Sequence, residues 1–203
     1  MNLQTDTDEQ LLRHYLEGDL AAFSMLYSNH KGGLYRYFLR QVRTKQEAED
    51  LFQDCWSKVI DNAHRFTPQA KFTTWLYTIA RNQLIDQHRH LKVVEKIIDD
   101  SRQLEDDDVG GQVSLATEET KIHLQRKHQL FKICLQKLPR NLVDVFVLKE
   151  ETNLTAGQIA EVVDASHEAT KSRLRYAYKK LRECITSKLS IEKNLGGGDE
   201  QTA

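Results

Sequence analysis

The segment 155–182 carries cations in its second half, a composition suited to binding the phosphates and base edges of a nucleic acid. From Glu168 to Arg182 the chain carries six lysines or arginines and a single acid. At helical spacing one side of this segment presents Lys171, Ser172, Arg175, Lys179 and Arg182. A helix face that is merely kept soluble usually mixes both signs of charge, so the pattern favours DNA binding over a solvated surface.

Two short helices joined by a turn are predicted to position these cations. Thr155 and Gln158 have the Thr-x-x-Gln spacing of a capping box at the start of the first helix. Residues 163–165 are the expected turn, and Ser166 is a suitable N-cap for the second helix. Apolar or small residues recur at spacings of three and four on the other side of that helix: Thr170, Leu174, Ala177, Leu181 and Ile185. This is the layout of a helix-turn-helix whose second helix enters a DNA groove.

A second stretch with binding chemistry combines aromatic rings and cations between residues 64 and 96. The sequence HRFTPQAK (64–71) reads as a loop, and a helix is predicted from Phe72 to about Lys96. Aromatic rings beside cations suit unpaired bases, because bases stack on rings while cations hold phosphates. Four apolar residues of the helix are expected in the core, namely Trp75, Leu76, Ile79 and Ala80. Phe66 and the basic loop are less readily explained by packing.

An acidic patch lies on the polar side of a helix predicted over residues 45–63. It is formed by Glu47, Glu49, Asp50, Gln53 and Asp54. The residues by themselves fit an ordinary solvated face as well as a docking surface for a basic partner.

The whole chain reads as all-α, with two small helical domains joined by an acidic flexible linker. Its 203 residues include only two prolines and nine glycines, and Gly18-Asp19 and Gly32-Gly33 are expected to separate the first three helices. Net charge is +1 over residues 1–98, −7 over residues 99–120 and +7 over residues 121–190. We therefore expect domains at 1–98 and 121–190, a linker at 99–120 and a disordered tail at 191–203.

Neither a membrane span, a secretory leader nor an enzymatic site is expected. No apolar run approaches about 20 residues, and the start MNLQTDTDEQ is polar and acidic. Cys55, Cys134 and Cys184 are far apart in sequence, which favours free thiols in a reducing cytoplasm over disulfides or zinc. The histidines lack metal-ligand spacing, and no phosphate loop or nucleophile motif is present, so no cofactor or metal is expected.

Several ordered segments resemble the extracytoplasmic-function (ECF) sigma factors, members of the sigma-70 family of bacterial RNA polymerase. The N-terminal segments are GDLAAFSMLY (18–27), AEDLFQDCW (48–56) and FTTWLYTIARNQLIDQHR (72–89). The C-terminal segments are LPRNLVDVFVL (138–148), QIAEVV (158–163) and KSRLRYAYKKL (171–181). The resemblance covers about nine tenths of the chain in the family's order. It implies a sigma factor that binds core RNA polymerase and directs promoter-specific initiation in the cytoplasm.

The resemblance also implies roles for individual residues. It assigns the contact with the polymerase clamp to Glu49, Asp50, Gln53 and Asp54. It assigns binding and opening of the minus-ten element to Arg65, Phe66, Lys71, Arg81, Asn82, Asp86 and Arg89. It assigns reading of the minus-thirty-five element to Ser166, His167, Glu168, Lys171, Ser172, Arg173, Arg175 and Lys179. The implied partners are the clamp and flap of core RNA polymerase, promoter DNA and an anti-sigma factor of a stress or envelope regulon.

Two positions depart from the family's pattern. The family usually has glycine in the turn of the helix-turn-helix, where this chain has the residues 163–166 (VDAS). It also has Thr-Val before Lys-Ser-Arg, where this chain has Ala169-Thr170. A phosphate contact by a threonine hydroxyl is therefore not expected at Ala169, and Thr170 places a hydroxyl in a slot that faces the core.

A different class of protein remains compatible with the residues taken alone. A stand-alone helix-turn-helix regulator would use its N-terminal half to sense a ligand or to dimerise. It would bind an operator without polymerase and usually with two-fold symmetry. Binding to core RNA polymerase distinguishes the two hypotheses.

Overall fold

The computed structural model of this protein describes residues 6–67, 70–97 and 118–196. Every regular element in these ranges is helical, which confirms the all-α class predicted from the sequence. The α-helices are α1 (Asp8–Leu16), α2 (Leu20–Leu39), α3 (Lys45–Asn62), α4 (Phe72–Ile97), α5 (Glu118–Gln136), α6 (Arg140–Glu151), α7 (Ala156–Val162) and α8 (His167–Gly196). A 3-10 helix, Ala63–Arg65, follows α3.

The segments expected to be a linker and a tail lie largely outside the described residues. Helix α5 begins at Glu118, inside the expected linker 99–120, and α8 continues to Gly196, six residues into the expected tail 191–203. The remainder of both segments, residues 99–117 and 197–203, is not described.

Short-range capping determines where several helices begin. Thr7, Thr44 and Thr155 each form a complete capping box with the Gln or Glu three residues later, so two backbone donors are satisfied at each start. Asp19 caps α2 by accepting from the backbone N–H groups of Ala21 and Ala22. The predicted capping box at Thr155 is thereby confirmed, and it lies at the entry to the helix-turn-helix.

The prediction that Gly32-Gly33 separates two helices is wrong. Helix α2 runs through both glycines without a break. Gly18 does end α1, with a φ of +103° that only glycine adopts readily. Gly33 serves close packing instead: a Cβ at this position would lie 3.0 Å from the Tyr77 Oη and 3.1 Å from the backbone oxygen of Glu151.

The close approach at Gly33 brings two arginines of α2 onto the carboxylate at the end of α6. The Arg36 Nε lies 2.7 Å from Glu151 Oε2, and the Arg40 Nε donates to Glu151 Oε1. The Glu151 side chain is only 6% exposed. Burial alone raises the pKa of Glu151, but hydrogen bonds and charge from Arg40 and Arg36 outweigh it and leave this pKa below its ordinary value.

The sign of this shift fixes how the contact depends on pH. Because the folded-state pKa of Glu151 is lowered, its ionisation stabilises the fold above the ordinary glutamate value of about 4.3. That contribution is lost as the pH falls through the folded-state value.

The chain divides into two compact units. One unit contains the described residues before 98 together with residues 147–170. Its core includes Leu11, Leu26, Phe38, Leu76 and Ile159, all fully buried. The contacts of Glu151 with α2, and the packing of α7 on α4, explain why residues 147–170 group with the N-terminal helices.

The second unit contains the described residues of 118–146 and 171–196. The ring of Phe146 contacts those of Phe131 and Tyr178, with centroids 6.0 and 5.3 Å apart. Cys134 and Cys184 form a disulfide with their Cα atoms 5.8 Å apart, so the expectation of three free thiols is wrong for this pair. A separation of 50 residues conceals the pair in the sequence, because only the fold brings the two cysteines within bridging distance.

Cys55 is a free, buried thiol, and burial raises its pKa to about 12. Across the described ranges no helix has the length and hydropathy of a membrane span, and no group of histidine, cysteine and acidic side chains could hold a metal ion.

The two adjacent glycines of α2 provide a matched pair of stability measurements. Gly32→Ala should raise the free energy of unfolding by about 0.5–1 kcal/mol, because its new methyl meets only the Arg36 Nη1, which can shift slightly while the Arg36 Nε keeps its contact with Glu151. Gly33→Ala should instead lower it by about 1–3 kcal/mol, because the methyl meets a backbone oxygen. Urea unfolding of both variants tests this, and an equal gain for both would show that the close approach at Gly33 is absent in solution.

The buried hydroxyl of Thr170 gives a second stability test. Thr170 is fully buried, and its Oγ1 has no hydrogen-bond partner among the residues that the structure describes. Thr170→Val has nearly the same shape and should raise the free energy of unfolding by about 1–2 kcal/mol. Thr170→Ser is the control, because it keeps the hydroxyl and loses the methyl, so it should lower stability by about 1 kcal/mol. A valine variant no more stable than the parent protein would contradict an unpaired hydroxyl.

Candidate functional site

The acidic patch lies on one side of α3, as its spacing predicts. Asp50, Gln53 and Asp54 are exposed, whereas Glu49 is partly buried. Glu49 accepts a hydrogen bond from the Tyr35 hydroxyl at 3.4 Å, and its Oε1 lies 3.5 Å from the Lys45 Nζ. Helix α3 is held by buried residues on its other side, so it presents at least three polar side chains to solvent as one surface.

The residues assigned to the minus-ten element form a strip rather than a single cluster. Arg65 and Lys71 are exposed on either side of the loop before α4. Asn82, Asp86 and Arg89 are exposed further along α4, about 15–25 Å from its start at the helical rise per residue. Arg81 is only partly exposed, and the Arg89 Nη1 lies 3.6 Å from the Asp86 Oδ1. The strip therefore begins in the segment before α4 and continues along that helix.

Phe66 has packing partners that the sequence did not reveal. Its ring centroid lies 5.4 Å from that of Trp75 and 6.3 Å from that of Phe72. Phe72 is fully buried, whereas Phe66 and Trp75 are partly exposed. Phe66 therefore packs against the aromatic residues at the start of α4 and retains some exposed ring surface.

The turn of the helix-turn-helix contains a residue with left-handed backbone geometry. Asp164 has a φ of +50°. Non-glycine residues rarely adopt this conformation, although aspartate and asparagine do so more often than others. Asp164 thus occupies a turn conformation that glycine adopts at lower cost, consistent with the glycine that the family usually has in this turn.

The start of α8 is capped as predicted. The Ser166 Oγ accepts a hydrogen bond from the backbone N–H of Ala169 at 3.2 Å, and Glu168 lies in the first turn. His167 and Glu168 are exposed, with the His167 Nδ1 3.9 Å from the Glu168 Oε1. These side chains stand at the positive end of the helix dipole.

The cationic side of α8 is exposed along its length. Lys171, Ser172, Arg175 and Lys179 are exposed, and Arg173 is partly exposed. On the opposite side Thr170, Ala177 and Leu181 are buried, as the spacing predicts. The Lys179 Nζ lies 3.9 Å from the Glu183 Oε1, so its charge is partly compensated, and Arg182 is exposed one turn further on.

Some residues that organise these surfaces were not singled out from the sequence. Glu9 of α1 accepts a hydrogen bond from the backbone N–H of Phe72, 63 residues later in the chain. Arg36, Arg40 and Glu151 likewise meet only through the fold. The capping rules offered one signal for the first contact, because Lys71 precedes α4 and has no side-chain acceptor for the start of the helix.

Two family models match the chain in the order that the helices suggest. Sigma-70 region 2 matches residues 26–93, and Sigma-70, region 4 matches residues 134–183. Together they cover more than half of the chain. The first contains the acidic side of α3 and the strip along α4, and the second contains the helix-turn-helix.

Individual relatives agree with the family models along nearly the whole chain. The RNA polymerase sigma factor CarQ of Myxococcus xanthus is 29% identical over 174 residues, covering 86% of this chain and 95% of the relative. The ECF RNA polymerase sigma-E factor of Haemophilus influenzae is 27% identical over 188 residues, covering 90% of this chain and 95% of the relative.

A solved structure shares the fold. It is the sigma factor RpoE of Bartonella quintana in complex with the anti-sigma factor NepR, with a TM-score of 0.69 and 20% identity. The match covers 81% of this chain and 96% of the solved one. With both family models matched in order, this chain belongs to the sigma-70 family, as an ECF sigma factor of RNA polymerase that directs promoter-specific transcription initiation.

Proposed function

We propose that this sigma factor uses three separate helical surfaces, one for the polymerase and one for each promoter element. The observation that supports this assignment most directly is their chemistry. The exposed side of α3 is acidic, the start of α4 combines aromatic rings with cations, and the exposed side of α8 is cationic. Each surface fits a different partner, and none requires a cofactor or chemistry by the protein itself.

The acidic side of α3 is the proposed contact with the polymerase clamp. Asp50, Gln53 and Asp54 would meet the partner directly, and Glu49 at the edge would help to fix it. Exposed carboxylates on a rigid helix attract a basic surface and orient it during encounter. In the family this contact is made by the segment that corresponds to AEDLFQD in this chain.

The loop before α4 and the exposed strip of α4 are the proposed minus-ten surface. The exposed part of Phe66 would stack on a base extruded from the duplex, and Arg65 and Lys71 would hold the adjoining phosphates. Extrusion of a base costs a few kcal/mol, so a preformed aromatic support offsets part of that cost. Further along α4, the strands would be followed by Arg81, Asn82, Asp86 and Arg89.

The first turns of α8 are the proposed reader of the minus-thirty-five element. Recognition helices contact base edges mainly through their N-terminal residues. Those positions hold Ser166, His167, Glu168, Lys171, Ser172 and Arg175. Arg173 and Lys179 would contact the flanking phosphates, which adds affinity without sequence preference.

Control by an anti-sigma factor is also part of the proposal. The Bartonella quintana relative of similar fold was solved with an anti-sigma factor bound. We infer the same class of partner here, in the cytoplasm where polymerase and promoter DNA are found, for a stress or envelope regulon. The test is co-purification of the tagged protein from its own cells.

The first experiment combines binding to purified core RNA polymerase with run-off transcription on a genomic promoter library. Stable binding with new, sequence-specific start sites is expected, and it would deliver the promoter sequence. Retained DNA binding without polymerase binding would instead support a stand-alone helix-turn-helix regulator.

Reversal of one charge on α3 tests the polymerase contact. Asp50→Arg should reduce binding to core RNA polymerase by at least about tenfold, because it places a cation in the centre of the acidic side. The unfolding midpoint should stay unchanged, since Asp50 is exposed. Glu17→Arg is the control, because it reverses an exposed acid directly after α1 and should bind normally. A wild-type affinity for Asp50→Arg would refute the clamp assignment.

Truncation of Arg175 tests whether α8 reads bases. Arg175→Ala should weaken binding of the holoenzyme to its promoter by about 1–3 kcal/mol if the guanidinium contacts a guanine. Binding to a sequence scrambled at the minus-thirty-five element should change much less. Arg182→Ala is the comparison, because it lies two turns further along α8 and should weaken both DNAs alike. Equal losses on both DNAs for Arg175→Ala would exclude base reading by this residue.

A further inference from the structure

Helix α4 begins with a residue that cannot cap it. The Lys71 carbonyl accepts the N–H of Trp75 at 3.1 Å, which makes Lys71 the N-cap of a helix starting at Phe72. The first backbone N–H groups of a helix need acceptors, and the positive end of its dipole favours an anion. Lysine offers neither an acceptor nor the right charge. This helix start therefore needs an acceptor from elsewhere in the fold.

Glu9 of α1 supplies both missing features. Its Oε1 accepts the hydrogen bond of the Phe72 N–H at 3.0 Å, and its Oε2 lies 3.9 Å from the Lys71 Nζ. The Glu9 side chain is 18% exposed, and Phe72 is fully buried. A charged acceptor on a backbone donor makes a stronger hydrogen bond than a neutral one. A residue distant in sequence thus caps α4.

Asp8, the residue before Glu9, contacts Phe72 indirectly through the ring of His30. The Asp8 Oδ2 lies 2.7 Å from the His30 Nε2, and the His30 ring centroid lies 5.2 Å from that of Phe72. Phe72 in turn contacts Phe66. The start of α1 therefore contacts Phe72 in two ways. Glu9 accepts the hydrogen bond of the Phe72 backbone N–H, and Asp8 contacts His30, whose ring packs against that of Phe72.

We propose that Glu9 is a positioning residue for the minus-ten surface. By capping α4 it holds the first turn of that helix, and with it Phe72, in the place where Phe72 supports Phe66. It also allows a cation, Lys71, to occupy the N-cap position at the cost of local capping. This inference rests on the proposed role of Phe66 and Lys71 at the minus-ten element. Glu9 precedes residues 26–93, the range matched to Sigma-70 region 2.

The pairing of Glu9 with Lys71 does not prevent Lys71 from binding DNA. The Lys71 side chain is 66% exposed and its Nζ is 3.9 Å from the carboxylate, so the pair is a weak surface contact. A phosphate can take the ammonium while the backbone hydrogen bond of Phe72 keeps Glu9 in place. The capping bond and the ion pair are therefore separable by substitution.

The test compares three variants in reconstituted holoenzyme on a promoter recovered by the run-off selection. Glu9→Ala removes the acceptor, and Glu9→Gln keeps an amide oxygen for the Phe72 N–H but no charge for Lys71. Glu17→Ala is the control, an exposed acid at the other end of α1. Strand opening is followed by the fluorescence of 2-aminopurine placed in the minus-ten element. The same promoter with that element mismatched serves as a pre-opened template.

Glu9→Ala should slow opening of the duplex promoter about fivefold, the factor that corresponds to the loss of one helix cap. Initiation from the pre-opened template and affinity for core polymerase should stay within about twofold of the wild type, which a general loss of folding would not allow. Glu9→Gln should retain most of the opening rate, and Glu17→Ala all of it. Normal opening by Glu9→Ala would overturn the inference, as would an equal loss on both templates.

Phe66→Ala separates failure of this inference from failure of the proposed function. If Phe66→Ala opens the duplex normally, the assignment of Phe66 to the minus-ten element is wrong. If Phe66→Ala opens the duplex slowly and Glu9→Ala opens it at the normal rate, the assignment of Phe66 stands and only the positioning role of Glu9 is refuted.

Discussion

Burial of one apolar row of α4 is the interaction on which the N-terminal unit depends. Phe72, Leu76, Tyr77, Ala80 and Leu84 recur at helical spacing and are each at most 2% exposed. Each large side chain in such a row contributes about 1.5–3 kcal/mol by leaving water. Because the row fixes the rotation of the helix, its other side must face solvent, and there the chain carries the strip ending at Arg89. The same helical spacing that buries the apolar row therefore places the candidate DNA-binding residues on the exposed side of α4.

The features that were predictable from the sequence are those set by neighbours in the chain. The capping box at Thr155, the cap at Ser166 and the exposed side of α8 follow from spacings of three or four residues. The features that were missed depend on residues far apart in sequence. Gly33 reads locally as a helix breaker, and only its close neighbours Tyr77 and Glu151 explain why a glycine lies inside α2. The Cys134–Cys184 disulfide and the cap at Glu9 are hidden for the same reason.

The helix-turn-helix shows how a chain can depart from its family and keep the family's geometry. Asp164 adopts the left-handed turn conformation without being glycine, and the buried Thr170 hydroxyl has no partner in the described part of the chain. Both residues cost stability, Asp164 in the turn and Thr170 in the core. The exposed cations are unaffected, because neither residue belongs to the cationic side of α8.

The arginines that hold Glu151 and the arginines of α8 respond differently to ionic strength. Salt screens exposed charges over about 8 Å at physiological concentration, but it screens buried pairs much less. The Glu151 side chain is 6% exposed, whereas Arg175 is exposed. Added salt therefore weakens the attraction of α8 for phosphates, whereas the hydrogen-bonded ion pair of Arg40 with Glu151 is retained. Ionic strength can thus vary the affinity of this chain for nucleic acid at a nearly constant fold.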